Sequence, residues 1–204
     1  MANSNIAFGI RPINDNGTPW SGQGRLVAFT SGNSNNIFLG DPLVPAGGTD
    51  ANGVPYVTIA TAGATNTVLG GFIGISNGPA GGGGGASFTV TRDLPVYRQA
   101  SIANYGLVCD DPNQLYAVQE DSSGGAIAAS VGGFSNGNLV SGSGSTVTGY
   151  SGWQLQSSSV SNSANATYQL RLLGLLRGPD NVIGTNAKWV VRINLPALWA
   201  ASGY

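Results

Sequence analysis

The side chains best suited to bind a ligand are four carboxylates within a short stretch: Asp110, Asp111, Glu120 and Asp121. The first pair follows one candidate strand and the second pair ends the next, so a hairpin would place the pairs near its two ends. Carboxylate oxygens are the ligands that Ca²⁺ prefers, but the spacing departs from the Asp-x-Asp-x-Asp-Gly calcium loop. Aspartates before Pro112 are typical of a turn. We therefore predict that these carboxylates form turn hydrogen bonds or ion pairs with Arg92, Arg98 or Arg171. A bound calcium ion is the alternative.

The candidate nucleophiles lack the partners that catalysis requires. Residues Gly74-Ile-Ser76-Asn-Gly78 match the Gly-x-Ser-x-Gly elbow of hydrolases, but that serine needs a base, normally histidine, and the chain has none. We interpret this run as a turn. The single cysteine, Cys109, lies in an apolar run and is predicted to be a core residue, and zinc sites lack their ligands. The chain is predicted not to be an enzyme and to hold no cofactor.

Composition excludes further classes of function. Charged residues make up 8% of the chain and the formal net charge is −1, so no basic field is available to hold a nucleic acid. No stretch reaches the about 20 apolar residues of a membrane helix, and the first residues do not read as a secretory signal. We expect synthesis in the cytoplasm. A surface of Asn, Ser, Thr, Gln and Gly carries little charge, which suits a protein that becomes part of a large assembly.

The elements that position these residues are predicted to be strands. Short runs rich in Val, Ile, Leu, Thr and aromatic residues recur between Gly, Asn, Ser and Pro clusters, which favours an all-β fold. Alternation is clearest where Gln169 and Arg171 are predicted to face opposite to Leu170 and Leu172. We predict a jelly-roll-like sandwich, with a closed β-barrel as the alternative. The candidate strands are Arg25–Thr30, Asn36–Leu39, Tyr56–Ala60, Val68–Ser76, Ser87–Arg92, Val96–Ala100, Gly106–Cys109, Leu115–Glu120, Thr146–Gly149, Trp153–Gln156, Thr167–Leu176 and Lys188–Asn194.

The N-terminal residues 1–24 differ from the rest of the chain. They contain no strand-length apolar run, yet apolar residues recur along them between prolines and polar turns. We predict an extended arm over 1–24 that docks on another surface, and a single all-β domain over 25–204. An edge strand packed on the chain's own domain is the alternative for the arm. Trp20 and Trp199, nearest the two termini, are the tryptophans best placed for subunit contacts, whereas Trp189 is predicted to be core.

The run from 108 to 121, Val-Cys-Asp-Asp-Pro-Asn-Gln-Leu-Tyr-Ala-Val-Gln-Glu-Asp, resembles the decoration (cement) proteins of tailed bacteriophages. The likeness extends to residues 1–12, 142–153, 169–175, 179–184 and 186–194. Family members often end with a polar, histidine-containing segment, whereas Leu195-Pro-Ala-Leu-Trp199 stands here. The resemblance implies a β-rich, non-enzymatic virion protein on the outer surface of the phage head. Such a protein bridges neighbouring subunits of the major capsid protein.

Residues and resemblance together predict a contact surface on six residues: Ile6, Phe8, Ile10, Arg11, Trp20 and Trp199. The expected partners are the major capsid protein and further copies of this chain, as a dimer or trimer, without direct contact to nucleic acid or membrane. Two other classes stay open. One is a receptor- or glycan-binding β module, such as a head fibre or adhesin, and the other is a minor structural protein of the tail or neck.

Overall fold

The computed structural model describes residues 3–14, 20, 22, 24–76, 96–162 and 165–199, and within them the chain is all-β, as predicted. Helical residues in these ranges are confined to 3₁₀ turns at Ser157–Ser159 and Ala197–Trp199. No helix in the described ranges has the length and apolar content needed to cross a membrane. The strands are β1 (Arg11–Ile13), β2 (Arg25–Phe29), β3 (Pro42–Thr49), β4 (Pro55–Ile59), β5 (Gly70–Ser76), β6 (Asn104–Cys109), β7 (Leu115–Gln119), β8 (Asn136–Gly137), β9 (Leu139–Val140), β10 (Gln154–Leu155), β11 (Leu170–Leu175) and β12 (Lys188–Ile193).

Five strands form an antiparallel sheet in the order β1-β7-β12-β11-β8. Strand β12 shows why this sheet forms. Its residues Trp189, Val191 and Ile193 are buried while the residues between them are half-buried, so one face of the strand covers the core. Strands β9 and β10 form a separate antiparallel pair beside this sheet.

The other five strands close into a small β-barrel, which is called the ring of strands, or the ring, below. Strand β2 pairs in parallel with β4 and antiparallel with β6, and β3 and β5 complete the circuit. Phe29 and Phe72 meet edge to face inside it, with ring centroids 5.7 Å apart. A side chain at Gly106 would place its Cβ 2.5 Å from the Phe72 ring, so only glycine fits there. The sheets pack in a sandwich-like arrangement, and the closed barrel considered as the alternative describes these five strands alone.

Two apolar clusters hold the sheets together. The smaller cluster fills the ring, and the larger one packs the five-stranded sheet against the outside of the ring. Cys109 belongs to the larger cluster and is buried, as predicted. Beside it, the Tyr116 hydroxyl donates a hydrogen bond to the Cys109 carbonyl oxygen at 2.7 Å, so this buried phenol is satisfied.

Several strand predictions were wrong. The hairpin considered for the acidic pairs, which was not itself predicted, does not form, because β6 lies in the ring and β7 in the five-stranded sheet. Residues 36–39 and 96–100 contribute only isolated bridges, and 146–148 form a turn. Ser76 ends strand β5 and is buried, so the interpretation of residues 74–78 as a turn is corrected for 74–76. The predicted strand over 87–92 lies outside the described residues.

Gln169 does not face solvent as the alternation predicted. It is fully buried, and its side-chain amide joins three segments of the chain. The oxygen accepts hydrogen bonds from the backbone amides of Gly63, at 2.9 Å, and Leu139, at 3.2 Å. The nitrogen donates to the Thr61 carbonyl at 2.9 Å. A buried amide costs little when its hydrogen bonds are made, so period-two alternation fails at this residue.

Candidate functional site

The predicted arm is seated on the domain by a close approach of two glycines. Gly9 and Gly40 both have positive φ, and a Cβ on Gly9 would lie 2.1 Å from the Gly40 carbonyl oxygen. The Ile10 amide donates to that same oxygen at 2.8 Å. Strand β1 then continues as an edge strand paired with β7. Residues Arg11–Ile13 are therefore part of the chain's own sheet, as the edge-strand alternative for this segment proposed.

The predicted N-terminal contact residues differ in how far they are exposed. Ile6 is 65% exposed, Arg11 is exposed and Phe8 is half-buried. Ile10 is fully buried in the larger core cluster, so its inclusion in the contact surface is corrected. The sequence pattern misled because Ile6, Phe8 and Ile10 do not lie on one strand: β1 begins at Arg11, and Gly9, with its positive φ, lies between Phe8 and Ile10.

The two tryptophans of the contact prediction are in different settings. Trp20 is half-buried and packs against the larger core cluster. Trp199 is 64% exposed and ends the 3₁₀ turn that the Ala197 amide ties to the Val68 carbonyl at 2.9 Å. Ile6, Arg11 and Trp199 are thus the predicted contact residues that the structure leaves accessible.

Sequence reasoning missed several exposed apolar residues in a charge-free stretch. Between Asp121 and Arg171 the chain has no charged residue, and this stretch displays Phe134 at 74% exposure and Val147 at 89%. Phe134 has a φ of 57°, a left-handed conformation that costs a bulky residue roughly 1–3 kcal/mol. The absence of charge was the signal that would have drawn attention to this stretch.

The four carboxylates do not form one site. Asp110 forms an ion pair with Arg25, and Asp111 accepts a hydrogen bond from the Asn113 amide at 2.8 Å, which is a turn contact. The partner of the ion pair is thus Arg25 rather than Arg98 or Arg171, and Arg92 lies outside the described residues. Among the described residues, no group of three or more His, Cys, Asp or Glu side chains is arranged to hold a metal ion.

Glu120 and Asp121, just after β7, accept hydrogen bonds from other parts of the fold. Glu120 is buried and accepts hydrogen bonds from the indole of Trp189 at 2.9 Å and the Ile127 amide at 3.3 Å. Burial raises the pKa of Glu120, and these hydrogen bonds offset part of that effect. Asp121 accepts from the Ser157 amide at 2.8 Å. Burial raises its pKa too, but its several hydrogen bonds outweigh burial and hold that pKa below the ordinary value.

Calcium is expected to leave the stability of the protein unchanged, because the acidic pairs are separated and internally bonded. A site filled at 100 times its dissociation constant would add about 2.7 kcal/mol of stability, equivalent to several degrees of melting temperature. We expect a change below about 1 °C when Ca²⁺ at about 1 mM is added to EDTA-treated protein in a thermal melt monitored by circular dichroism. A rise of several degrees that Mg²⁺ does not reproduce would contradict this expectation.

Comparisons with protein-family models, with curated proteins and with solved structures found no match to this chain.

Proposed function

We propose that this chain is a decoration (cement) protein on the outer surface of a tailed-bacteriophage head, where it bridges subunits of the major capsid protein. The observation that supports this most is the display of large apolar side chains, Ile6 and Trp199 among them, on a protein with few charges. Exposed apolar side chains that join into one contiguous patch mark a binding site, and this proposal places Ile6 and Trp199 in such a contact surface. The resemblance of residues 108–121 to decoration proteins suggests the major capsid protein as the binding partner.

Binding through apolar contacts is consistent with a chain that has few charged side chains and several exposed apolar ones. At about 25 cal/mol per Å², burying about 400 Å² of apolar surface gives a gross gain of about 10 kcal/mol, which the lost freedom of docking reduces sharply. A dimer or trimer of this chain would add avidity across neighbouring capsid subunits. In this proposal the protein is made in the host cytoplasm and resists the outward pressure of packaged DNA through many such contacts.

The accessible contact residues are held on ordered backbone. Ile6 precedes the segment that Gly9 and Gly40 seat, while Arg11 stands on edge strand β1. Trp199 stands at the end of a 3₁₀ turn that is hydrogen-bonded to the rest of the domain. Presenting these side chains on ordered backbone lowers the entropy lost when they dock.

Substituting Ile6 and Trp199 is expected to weaken capsid binding. The assay uses mature capsids purified without this protein, from the phage that encodes the chain, and measures occupancy by co-sedimentation. Because each substitution removes an apolar contact, Ile6→Ser and Trp199→Ser should each weaken binding about tenfold or more. Point substitutions are preferred to deletion of residues 1–24, since deletion would also remove the buried Ile10 and Ile13 from the core.

The matched control is Ile102→Ser, which changes a 47% exposed isoleucine outside the proposed surface. It should bind capsids as the unmodified protein does and protect them equally on heating. Equal binding by all variants would contradict the assignment of Ile6 and Trp199. Failure of the unmodified protein to bind capsids would contradict the cement function, and immunolabelling of the tail or neck would favour the other structural role.

A further inference from the structure

A hollow of about 240 Å³ opens on the outer face of the ring, apart from the proposed contact residues. It lies where strands β4, β2 and β6 run side by side, and the turn after β2 and the start of β6 complete its wall. The residues lining it are Ala28, Phe29, Thr30, Ser31, Asp50, Tyr56, Ala103, Asn104 and Tyr105. This lining combines two phenol rings with hydroxyl, amide and carboxylate groups.

Two tyrosines flank an alanine across three adjacent strands. Ala28 pairs in register with Tyr56 on one side and with Tyr105 on the other. Paired residues of neighbouring strands share a face, and their Cα atoms are roughly 5 Å apart, so the two tyrosine Cα atoms are roughly 10 Å apart. Two aromatic rings in contact have centroids about 4.5–7 Å apart, and we take the same spacing for a sugar ring on a tyrosine. A single six-membered ring placed above Ala28 would therefore contact both tyrosines.

Tyr105 is fixed in place by the loop between β3 and β4. Its hydroxyl donates to the Asp50 carboxylate at 2.5 Å and accepts from the Asn52 side-chain amide at 3.2 Å. Asp50 also accepts hydrogen bonds from the backbone amides of Asn52, at 2.9 Å, and Val54, at 2.8 Å. A ring held by two hydrogen bonds loses little entropy when a ligand stacks on it.

The lining selects the charge of a ligand. It includes no lysine or arginine, so nothing in it attracts an anion. Its one carboxylate, Asp50, already accepts four hydrogen bonds from Tyr105, Asn52 and Val54, which leaves little capacity to hold a cation. A ligand that fits is uncharged, has C–H faces for the two rings, and carries hydroxyl groups for Thr30, Ser31 and Asn104.

We propose that this hollow binds a neutral sugar, with one pyranose ring placed over Ala28 between Tyr56 and Tyr105. Asp50 and Asn52 hold the Tyr105 side chain through its hydroxyl. The site is separate from Ile6 and Trp199, and it gives the protein a sugar-binding activity beyond its adhesion to capsids.

The test is ¹⁹F NMR on the full chain labelled with 3-fluorotyrosine, whose seven tyrosine signals are assigned by single Tyr→Phe substitutions. The probes are methyl glucoside, methyl galactoside and N-acetylglucosamine. At least one should shift the signals of Tyr56 and Tyr105 with a dissociation constant of about 1–10 mM, as expected for one small ring. The signals of Tyr97 and Tyr150 should stay in place. Glucosamine and glucuronate should bind at least about fivefold more weakly than the best neutral sugar.

Substitutions separate ring stacking from general effects on the fold. Tyr56→Ala should lose sugar binding at least tenfold, Tyr56→Phe should retain it, and Tyr150→Ala, which alters a 50% exposed tyrosine elsewhere, should bind normally. If Tyr56→Ala does not fold, the ¹⁹F shifts of the unsubstituted chain decide. The proposal is overturned if no neutral sugar shifts Tyr56 and Tyr105, if Tyr97 and Tyr150 shift equally, or if a charged sugar binds best.

Discussion

Replacing Arg98 by alanine is expected to lower the free energy of unfolding by about 3–5 kcal/mol. Arg98 is fully buried, and its guanidinium donates to four backbone carbonyls at 2.5–3.0 Å, those of Thr30, Asn33, Asn35 and Ile102. Alanine would leave these carbonyls without that donor in a site from which water is excluded. Urea unfolding followed by circular dichroism measures the loss.

The cation at Arg98 is held by carbonyl dipoles and an aromatic ring. Its guanidinium carbon lies 5.6 Å from the centroid of the Phe29 ring, within the range of a cation–π contact. Burial lowers the pKa of Arg98. The side chain closes the loop after β2 onto residues 98–102, and Thr30 in that loop also lines the hollow. Its loss should therefore loosen one wall of the proposed sugar site as well as the core.

Arg98→Lys tests the geometry of this contact, since lysine keeps the charge but its three donors cannot reproduce the planar fork. We expect a smaller loss than in Arg98→Ala, of about 1–3 kcal/mol. The matched control is Arg177→Ala, at an exposed arginine, which should change stability by less than about 0.5 kcal/mol. If Arg98→Ala matched this control, water would have to replace the guanidinium at these carbonyls, and the buried cation would be structurally dispensable.

The sequence predicted strands where packing on one face imposes alternation. Strands β2, β7, β11 and β12 were predicted within a few residues of their observed ends because their apolar residues recur with a period of two or fill a continuous run. Strand β3 was missed. It contains two prolines and two glycines, which break any propensity signal, and its place is set by pairing with β4 and β5 in the closed ring. That closure depends on contacts between distant segments, which no local pattern contains.

Buried polar residues were the least predictable part of the chain. Arg98 was considered as an ion-pair partner and Gln169 as a solvent-facing residue, yet both are fully buried. Each is satisfied mainly by backbone groups from remote loops, and backbone partners have no residue type that a sequence could reveal. The contact prediction met the same limit, since Ile10 is buried by core residues remote in sequence while Arg11 beside it is exposed.

Tyr56 and Tyr105 illustrate what was missing for the proposed sugar site. Forty-nine positions apart in sequence, they become neighbours of Ala28 only through the pairing of β2 with both β4 and β6. Tryptophan side chains also stack well on sugars, but Trp153 and Trp189 are core residues. Register across three strands therefore determines which aromatic residues meet at a surface.

Substituting Asp41 by asparagine is expected to stabilise the protein at neutral pH by up to about 3 kcal/mol. Asp41 is 1% exposed, and burial raises its pKa from 3.8 to about 6, although hydrogen bonds from the Phe38 amide and the Ser151 hydroxyl lower it in part. Its Oδ2 accepts from Phe38 at 2.8 Å, whereas Oδ1 is buried and has no hydrogen-bond partner among the described residues. An ionised carboxylate in this position is therefore poorly compensated.

The sign of the pH dependence follows from proton binding. Between pH 3.8 and about 6 the folded protein holds a proton on Asp41 that the unfolded chain has released. Stability from this group is thus fully present below pH 3.8 and is lost as the pH rises through about 6. Asparagine can keep the acceptor for Phe38 and place an uncharged amide where Oδ1 stands. It removes the titration while preserving the shape of the side chain.

The measurement is the free energy of urea unfolding for the unmodified protein and for Asp41→Asn across the acidic to neutral range. The difference between them should be small below about pH 4 and should grow to its full value above about pH 7. Subtracting the two curves removes the contributions of Glu120, Asp121 and Asp50, which both proteins share. Asp180→Asn, at an exposed aspartate, serves as the control and should change the free energy of unfolding at neutral pH by less than about 0.5 kcal/mol. A difference between the unmodified protein and Asp41→Asn that is constant with pH would show that the folded protein does not bind a proton at Asp41.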